Sequence, residues 1–144
     1  MNRKGFGWLG SPGDESPGYR TAPDESGYDL ALAERTQQGA EHLLAGLHAG
    51  RESDIARGTE RLAGLGPGLT PAGDDFLLGF MARIWLEPAL LPAGWTAPDL
   101  CQRIARIAAP RTTRLSRTWL THAARGHFAE SWHDLATALS SNDQ

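Results

Sequence analysis

Residues 64–79 read GLGPGLTPAGDDFLLG: three glycines and a proline, then Thr70-Pro71, then Gly73-Asp74-Asp75, then an apolar run. A threonine side chain accepts hydrogen bonds from the amides of a first helical turn, and proline is favoured at the first helical position because its missing donor has no partner there. The spacing therefore predicts Thr70 as an N-cap and a helix from Pro71 to about Trp85 or Leu86, before Glu87-Pro88. Gly64, Gly66 and Gly68 form the loop that feeds it. Glycine permits positive φ and lets backbone amides approach a ligand closely. Amides in such a loop, followed by the positive end of a helix dipole, suit a phosphate or carboxylate.

The aspartates add a second theme. Acids in a first helical turn are favoured by the dipole, by about 0.3–1 kcal/mol each, so helix-end stabilisation is their simplest role. Asp75 also lies with Ala72, Gly79 and Ala82 on a face of small residues, at helical spacing. That face fits close helix packing or a ligand floor, while Leu77, Leu78, Met81 and Trp85 supply core contacts. Gly-Asp-Asp also occurs in polymerases, but on a β-hairpin. Here a helix follows.

Working outward, the remaining segments also read as helices. Leu30, Ala33, Leu43, Leu44 and Leu47 form an apolar stripe from about Asp29 to a stop at Gly50. Ser53 is placed to cap a helix ending near Leu62. Thr96-Ala-Pro-Asp99 has capping-box spacing and opens a helix to about Ala108, before Pro110. Thr112 or Thr113 opens another to about Arg125, with Leu115, Trp119 and Ala123 expected on the core. Ser131-Trp-His-Asp134 is a second capping box, starting a last helix. No segment alternates as a strand does. The expectation is an all-α protein: one helical domain of five or six helices over 28–144, preceded by an irregular arm over 1–27 that is dense in Gly, Pro, Ser and acids.

The bulk properties narrow the functional classes. At 144 residues the chain suits a single domain with its own core. Its net charge of −3 gives no basic footprint for nucleic acid. Mean hydropathy is −0.38, and the longest apolar runs are far short of a membrane span. The single cysteine, Cys101, excludes an internal disulfide and suits a reducing cytoplasm. The histidines at 42, 48, 122, 127 and 133 lack zinc-motif spacing, so no metal site is expected from them. The chain has no P-loop lysine, Gly-x-Ser-x-Gly elbow or dinucleotide fingerprint.

A second polar patch is Arg111-Thr-Thr-Arg114-Leu-Ser-Arg117. Arg111, Arg114, Thr118, His122 and Arg125 trace one polar face. Cations at a helix N-terminus oppose its dipole, a conflict relieved by a bound anion or by acids from another helix. A solvated basic face remains the alternative.

The two motifs, GLGPGLTPAGDDFLLGFMA and TTRLSRTWLTHAARGHFAESWHDLATAL, in this order and at this separation, resemble the C-terminal part of a bacterial family long carried as a domain of unknown function. That family includes the AllH-type subunit of oxamate carbamoyltransferase from anaerobic allantoin catabolism. The resemblance covers 64–139 well and the preceding helix loosely; residues 1–28 resemble no segment of it. Family members typically carry a further strand-rich N-terminal portion, so a short variant or half of a split protein is expected here.

The resemblance implies a part in moving a carbamoyl group between phosphate and the amide nitrogen of oxamate. Such chemistry needs donors around a phosphate and charge stabilisation at the carbonyl oxygen. The residue types that match are Asp74, Asp75 and Arg114 as catalytic candidates, with Gly66, Gly68, Thr70, Gly73, Thr112, Thr113 and Arg117 as ligand-binding candidates. No cofactor is expected, although the aspartate pair could take a divalent cation. The expected partners are a small anion (phosphate, carbamoyl phosphate or an oxamate-like compound) and either a second copy or another subunit. A binding module without chemistry and a purely structural helical domain are the alternatives.

Overall fold

The computed structural model describes residues 25–128 together with Asp134 and Thr137. Among them the protein is all-α, with five α-helices: α1 (Glu25–Ala49), α2 (Glu52–Leu62), α3 (Ala72–Leu86), α4 (Ala97–Ala108) and α5 (Arg114–Ala123). Short 3-10 turns at Pro88–Leu90 and Ala109–Arg111 join α3 to α4 and α4 to α5. Both contain prolines that block helix continuation. The arm expected over 1–27 lies outside the described residues up to residue 24, while residues 25–27 already belong to α1. Ser131 also lies outside them, whereas Asp134 and Thr137 are helical.

The core is built on α3. Gly73, Asp74, Leu77, Leu78, Phe80, Met81, Ala82 and Ile84 are all buried, so this helix is apolar nearly all round and sits centrally. Ile55 and Leu62 of α2, Leu100, Cys101 and Ile104 of α4, and Leu120 and Ala123 of α5 close around it. Cys101 is fully buried, and desolvation pushes its thiol up to about 12. It is a small core residue and not a nucleophile.

α1 and α2 form a helical hairpin held together by glycines. A Cβ on Gly58 would meet the Gly39 carbonyl and the Leu43 amide at 2.7 Å, and one on Gly46 would meet the Ile55 amide at 2.8 Å. Backbones this close bury Leu43 and Leu47 against α2. The expected α1 stripe is corrected elsewhere. Leu30 is 71% exposed, Leu44 is 54% exposed, and Ala33 faces outward. For Leu30 and Ala33 the reason is length: α1 has 25 residues and α2 only 11, so about 20 Å of α1 runs on past its partner. Leu44 lies in the paired half but off the face that carries Leu43 and Leu47.

Two expected caps hold and two do not. Thr96 accepts from the Asp99 amide at 3.2 Å, and Thr113 accepts from the Ser116 amide at 3.2 Å. Ser53 lies inside α2, whose N-cap is Arg51. Thr70 makes no cap either; Pro71 occupies that position. Its place is taken by the Leu65 carbonyl, which accepts the Gly73 amide at 2.9 Å. On α5, Ala123 is buried as expected, but the two turns before it are rotated by one position: Ser116 and Leu120 are buried, while Leu115 is 39% and Trp119 47% exposed.

Gly58→Ala tests the hairpin with a reversal of sign. Helix propensity alone favours alanine by about 1 kcal/mol. The clash with the α1 backbone instead predicts a net loss of about 1–3 kcal/mol, measured as a lower urea midpoint at unchanged m value.

Candidate functional site

The glycine-rich loop bends as its composition requires. Gly64, Gly66 and Gly68 all have positive φ, at 70°, 113° and 92°. Gly64 additionally has no room for a side chain, since a Cβ there would lie 2.2 Å from the Arg111 carbonyl. Gly73 is equally constrained in the first turn of α3, where a Cβ would lie 2.0 Å from the Leu62 carbonyl. These two glycines bring the end of α2, the start of α3 and the α4–α5 connection together.

At that junction the Asp74 carboxylate is fully buried. Its Oδ1 accepts from the Gly64 amide at 2.9 Å, and its Oδ2 accepts from the Thr112 hydroxyl. A buried carboxylate is tolerable only when hydrogen-bonded, and here both oxygens have protein donors. The innermost loop amide therefore cradles a carboxylate supplied by the chain itself.

The outer half of the loop is fastened differently. The Leu69 carbonyl accepts from the Thr113 hydroxyl at 2.6 Å and from the Ser116 hydroxyl at 3.5 Å. This holds Gly68–Thr70 over the first turn of α5. The structure thus joins the two motifs that lie some forty residues apart in sequence. No described residue accepts from the amides of Gly66, Gly68 or Thr70. Gly68 is exposed, with nothing within 4 Å of where a Cβ would stand.

The expected site residues divide accordingly. Asp74, Gly73 and Thr112 are engaged inside the junction, and Thr113 is engaged both as the α5 cap and on Leu69. Arg117 donates to the Ala109 carbonyl at 2.8 Å, and Arg111 donates to the Ile107 carbonyl and to Glu60. Gly66, Gly68, Thr70, Asp75 and Arg114 remain on the surface side. Arg114 is exposed, and its guanidinium has no partner among the described residues. Desolvation, and then the charge of neighbouring Asp74, raises the Asp75 carboxyl above its usual range. No three His, Cys, Asp or Glu side chains cluster as metal ligands among the described residues. His122 and His127 approach only as tilted rings, with centroids 6.5 Å apart.

Sequence reasoning missed a neighbouring cleft of about 710 Å³ where α1 overhangs the loop. Tyr28, Arg35, Arg57, Arg61, Gly64 and Gly66 are among its lining residues. Arg57 and Arg61 are spaced i, i+4, and Tyr28, Leu32 and Arg35 are spaced i, i+4, i+7. Either half is visible in the sequence as one helix face. That the faces meet depends on the hairpin.

Residues 62–144 match the family model described as oxamate carbamoyltransferase subunit AllH. The match spans more than half of the chain, and the chain belongs to this family. No solved structure matches it. No helix among the described residues is long and apolar enough to cross a membrane.

The two aspartates should separate in a stability test. Asp74→Asn keeps an acceptor for the Gly64 amide but replaces the charged acceptor at Thr112 by an NH2 donor, so that the hydroxyl must turn round to accept, and is expected to cost about 1–3 kcal/mol. For Asp75 the raised carboxyl has a definite sign: the folded state holds its proton more tightly than the unfolded chain does. Its contribution is therefore fully present below the ordinary value of 3.8 and is lost as pH rises through the raised value. Asp75→Asn should be neutral or stabilising at pH 7 relative to wild type, with that advantage vanishing below pH 3.8, as read by urea midpoints across pH. A simple helix-end charge predicts the opposite change at pH 7.

Proposed function

We propose that the chain is the AllH-type subunit of an oxamate carbamoyltransferase-like assembly, and that it contributes an anion-binding edge made by the outer loop and the start of α5. The observation that carries this reading is the pair of hydroxyl bonds onto the Leu69 carbonyl. They hold the amides of Gly66, Gly68 and Thr70, which have no acceptor among the described residues, beside the residue that precedes Arg114. Fixed amides and a guanidinium are the donor set that a phosphate or an oxamate carboxylate requires, and their preorganisation is worth most where charge develops.

In the transfer itself, the amide nitrogen of oxamate bonds to the carbamoyl carbon, the carbon–oxygen bond to phosphate breaks, and the nitrogen gives up a proton. Arg114 and the loop amides would hold the departing phosphate. Asp75, exposed and without a hydrogen-bond partner for its carboxylate among the described residues, would accept from the nitrogen or hold a divalent cation. Asp74 supports the edge from beneath. The other subunit, or a second copy of this chain, would complete the site, and exposed Leu115 and Trp119 on α5 offer apolar surface for that contact.

Titration calorimetry with phosphate, carbamoyl phosphate and oxamate, on the chain alone and with co-purified subunits, tests the reading. Arg114→Gln and Gly68→Ala are expected to weaken binding or assembly activity at least about tenfold, or 1.4 kcal/mol. Arg114→Gln should leave the unfolding midpoint nearly unchanged. Equal behaviour of wild type and Arg114→Gln towards all three compounds would leave the motif as a helix-packing device only.

A further inference from the structure

We propose that the cleft between the overhanging half of α1 and the end of α2 is a second anion site, distinct from the outer loop edge, and that it takes a nucleoside diphosphate. The cleft gathers three arginines, Arg35 from α1 and Arg57 and Arg61 from α2. Glu60 is the acid among the lining residues, and its carboxylate is engaged by Arg111, which is outside the lining. Arg61 uses one nitrogen on the Gln38 side chain at 2.9 Å, leaving its other donors. Arg35 and Arg57 have no ion pair or hydrogen bond from their guanidinium groups among the described residues. All three are exposed, so water screens much of their mutual repulsion, and an anion between them would relieve the remainder. By contrast, the smaller hollow of about 490 Å³ beside Trp95 sets two acids, Glu52 and Asp99, against its two arginines, Arg103 and Arg106, with Arg103 paired to Glu52.

Size and layout select the anion. A volume of about 710 Å³ lies within the range of sites for drug-sized and cofactor-sized ligands, well above what inorganic phosphate fills. Tyr28, Ala31 and Leu32 make the outer wall, and Tyr28 is 55% exposed, a ring open to stacking. Arg35 lies seven residues further along the same helix face, about 10 Å away. A flat base and a polyanion separated by about that distance are the layout of a nucleoside diphosphate, whose charge also matches three guanidinium groups. At the inner end the cleft is closed by the backbone of Gly64 and Gly66. Arg35, Arg57 and Arg61 all precede residue 62, where the family match begins. The charged groups of the site therefore belong to the α1–α2 hairpin, with only residues 63–66 of its lining inside the match, and the proposal does not depend on the carbamoyl-transfer reading.

Calorimetric titration of the full chain with ADP, with inorganic pyrophosphate and with adenosine provides the test. ADP is expected to bind saturably, with an affinity that falls as salt rises. Arg35→Gln and Arg57→Gln, both at exposed helix positions, should each weaken ADP and pyrophosphate at least tenfold with an unchanged unfolding midpoint. Tyr28→Ala should weaken ADP while sparing pyrophosphate. Arg114→Gln should leave ADP binding unaltered, which separates this site from the loop edge whatever becomes of the latter. Absence of saturable ADP binding at low salt overturns the proposal. So does binding that survives both arginine substitutions, or that is lost in Arg114→Gln instead.

Discussion

A single buried carboxylate organises the junction on which the rest of the protein depends. Asp74 sits at zero exposure in the first turn of α3, and burial of that charge is tolerable only because Gly64 and Thr112 both donate to it. Each donor comes from a different connection, one leading out of α2 and one leading into α5. The carboxylate therefore fixes the positions of three helices at once. Gly64 must be glycine to pass under the Arg111 carbonyl, and Gly73 must be glycine to seat the α3 turn against the end of α2. Removing the Thr112 hydroxyl would leave one carboxylate oxygen without its donor in a dry site, where loss of a partner is costly out of proportion to the bond itself.

This arrangement explains which parts of the molecule were readable from the residues. Boundaries set by local chemistry were legible: proline after α3 and α4, hydroxyl caps at Thr96 and Thr113, and glycines at 64, 66 and 68 that do adopt positive φ. Features set by tertiary fit were not. Thr70 has the right chemistry for a cap, but the Leu65 carbonyl reaches the Gly73 amide first. The rotation of α5 follows from Thr112 being tied to Asp74, which places Ser116 inward and turns Leu115 and Trp119 out. The exposure of Leu30 follows from the short length of α2, a fact about α1's neighbour.

The site was legible as a meeting of two motifs and illegible in its division of labour. A loop that binds an external phosphate and a loop that binds the chain's own carboxylate require the same residues: glycines, amides and hydroxyls near a helix start. Only the geometry distinguishes them, and here both demands fall on one loop. Its inner amide, on Gly64, faces Asp74. Its outer amides, on Gly66, Gly68 and Thr70, have no described acceptor.

That division bears on how any functional loss at Asp74 should be understood. The same carboxylate holds Gly64, which lines the arginine cleft, and Thr112, which leads into Thr113 and so to the Leu69 carbonyl of the outer loop edge. Disturbing it would loosen both surfaces together, without Asp74 ever touching a ligand. A residue of that kind is a positioning residue, and a fall in activity on replacing it is no evidence of chemistry at its own atoms. Asp75 and Arg114 have no such structural engagement by their side chains among the described residues, and neither do Arg35 and Arg57. Loss of binding at these four, with the fold intact, therefore speaks directly about ligands. Stability resides on the inner side of the loop, and the groups left free to act lie on its outer side and across the hairpin.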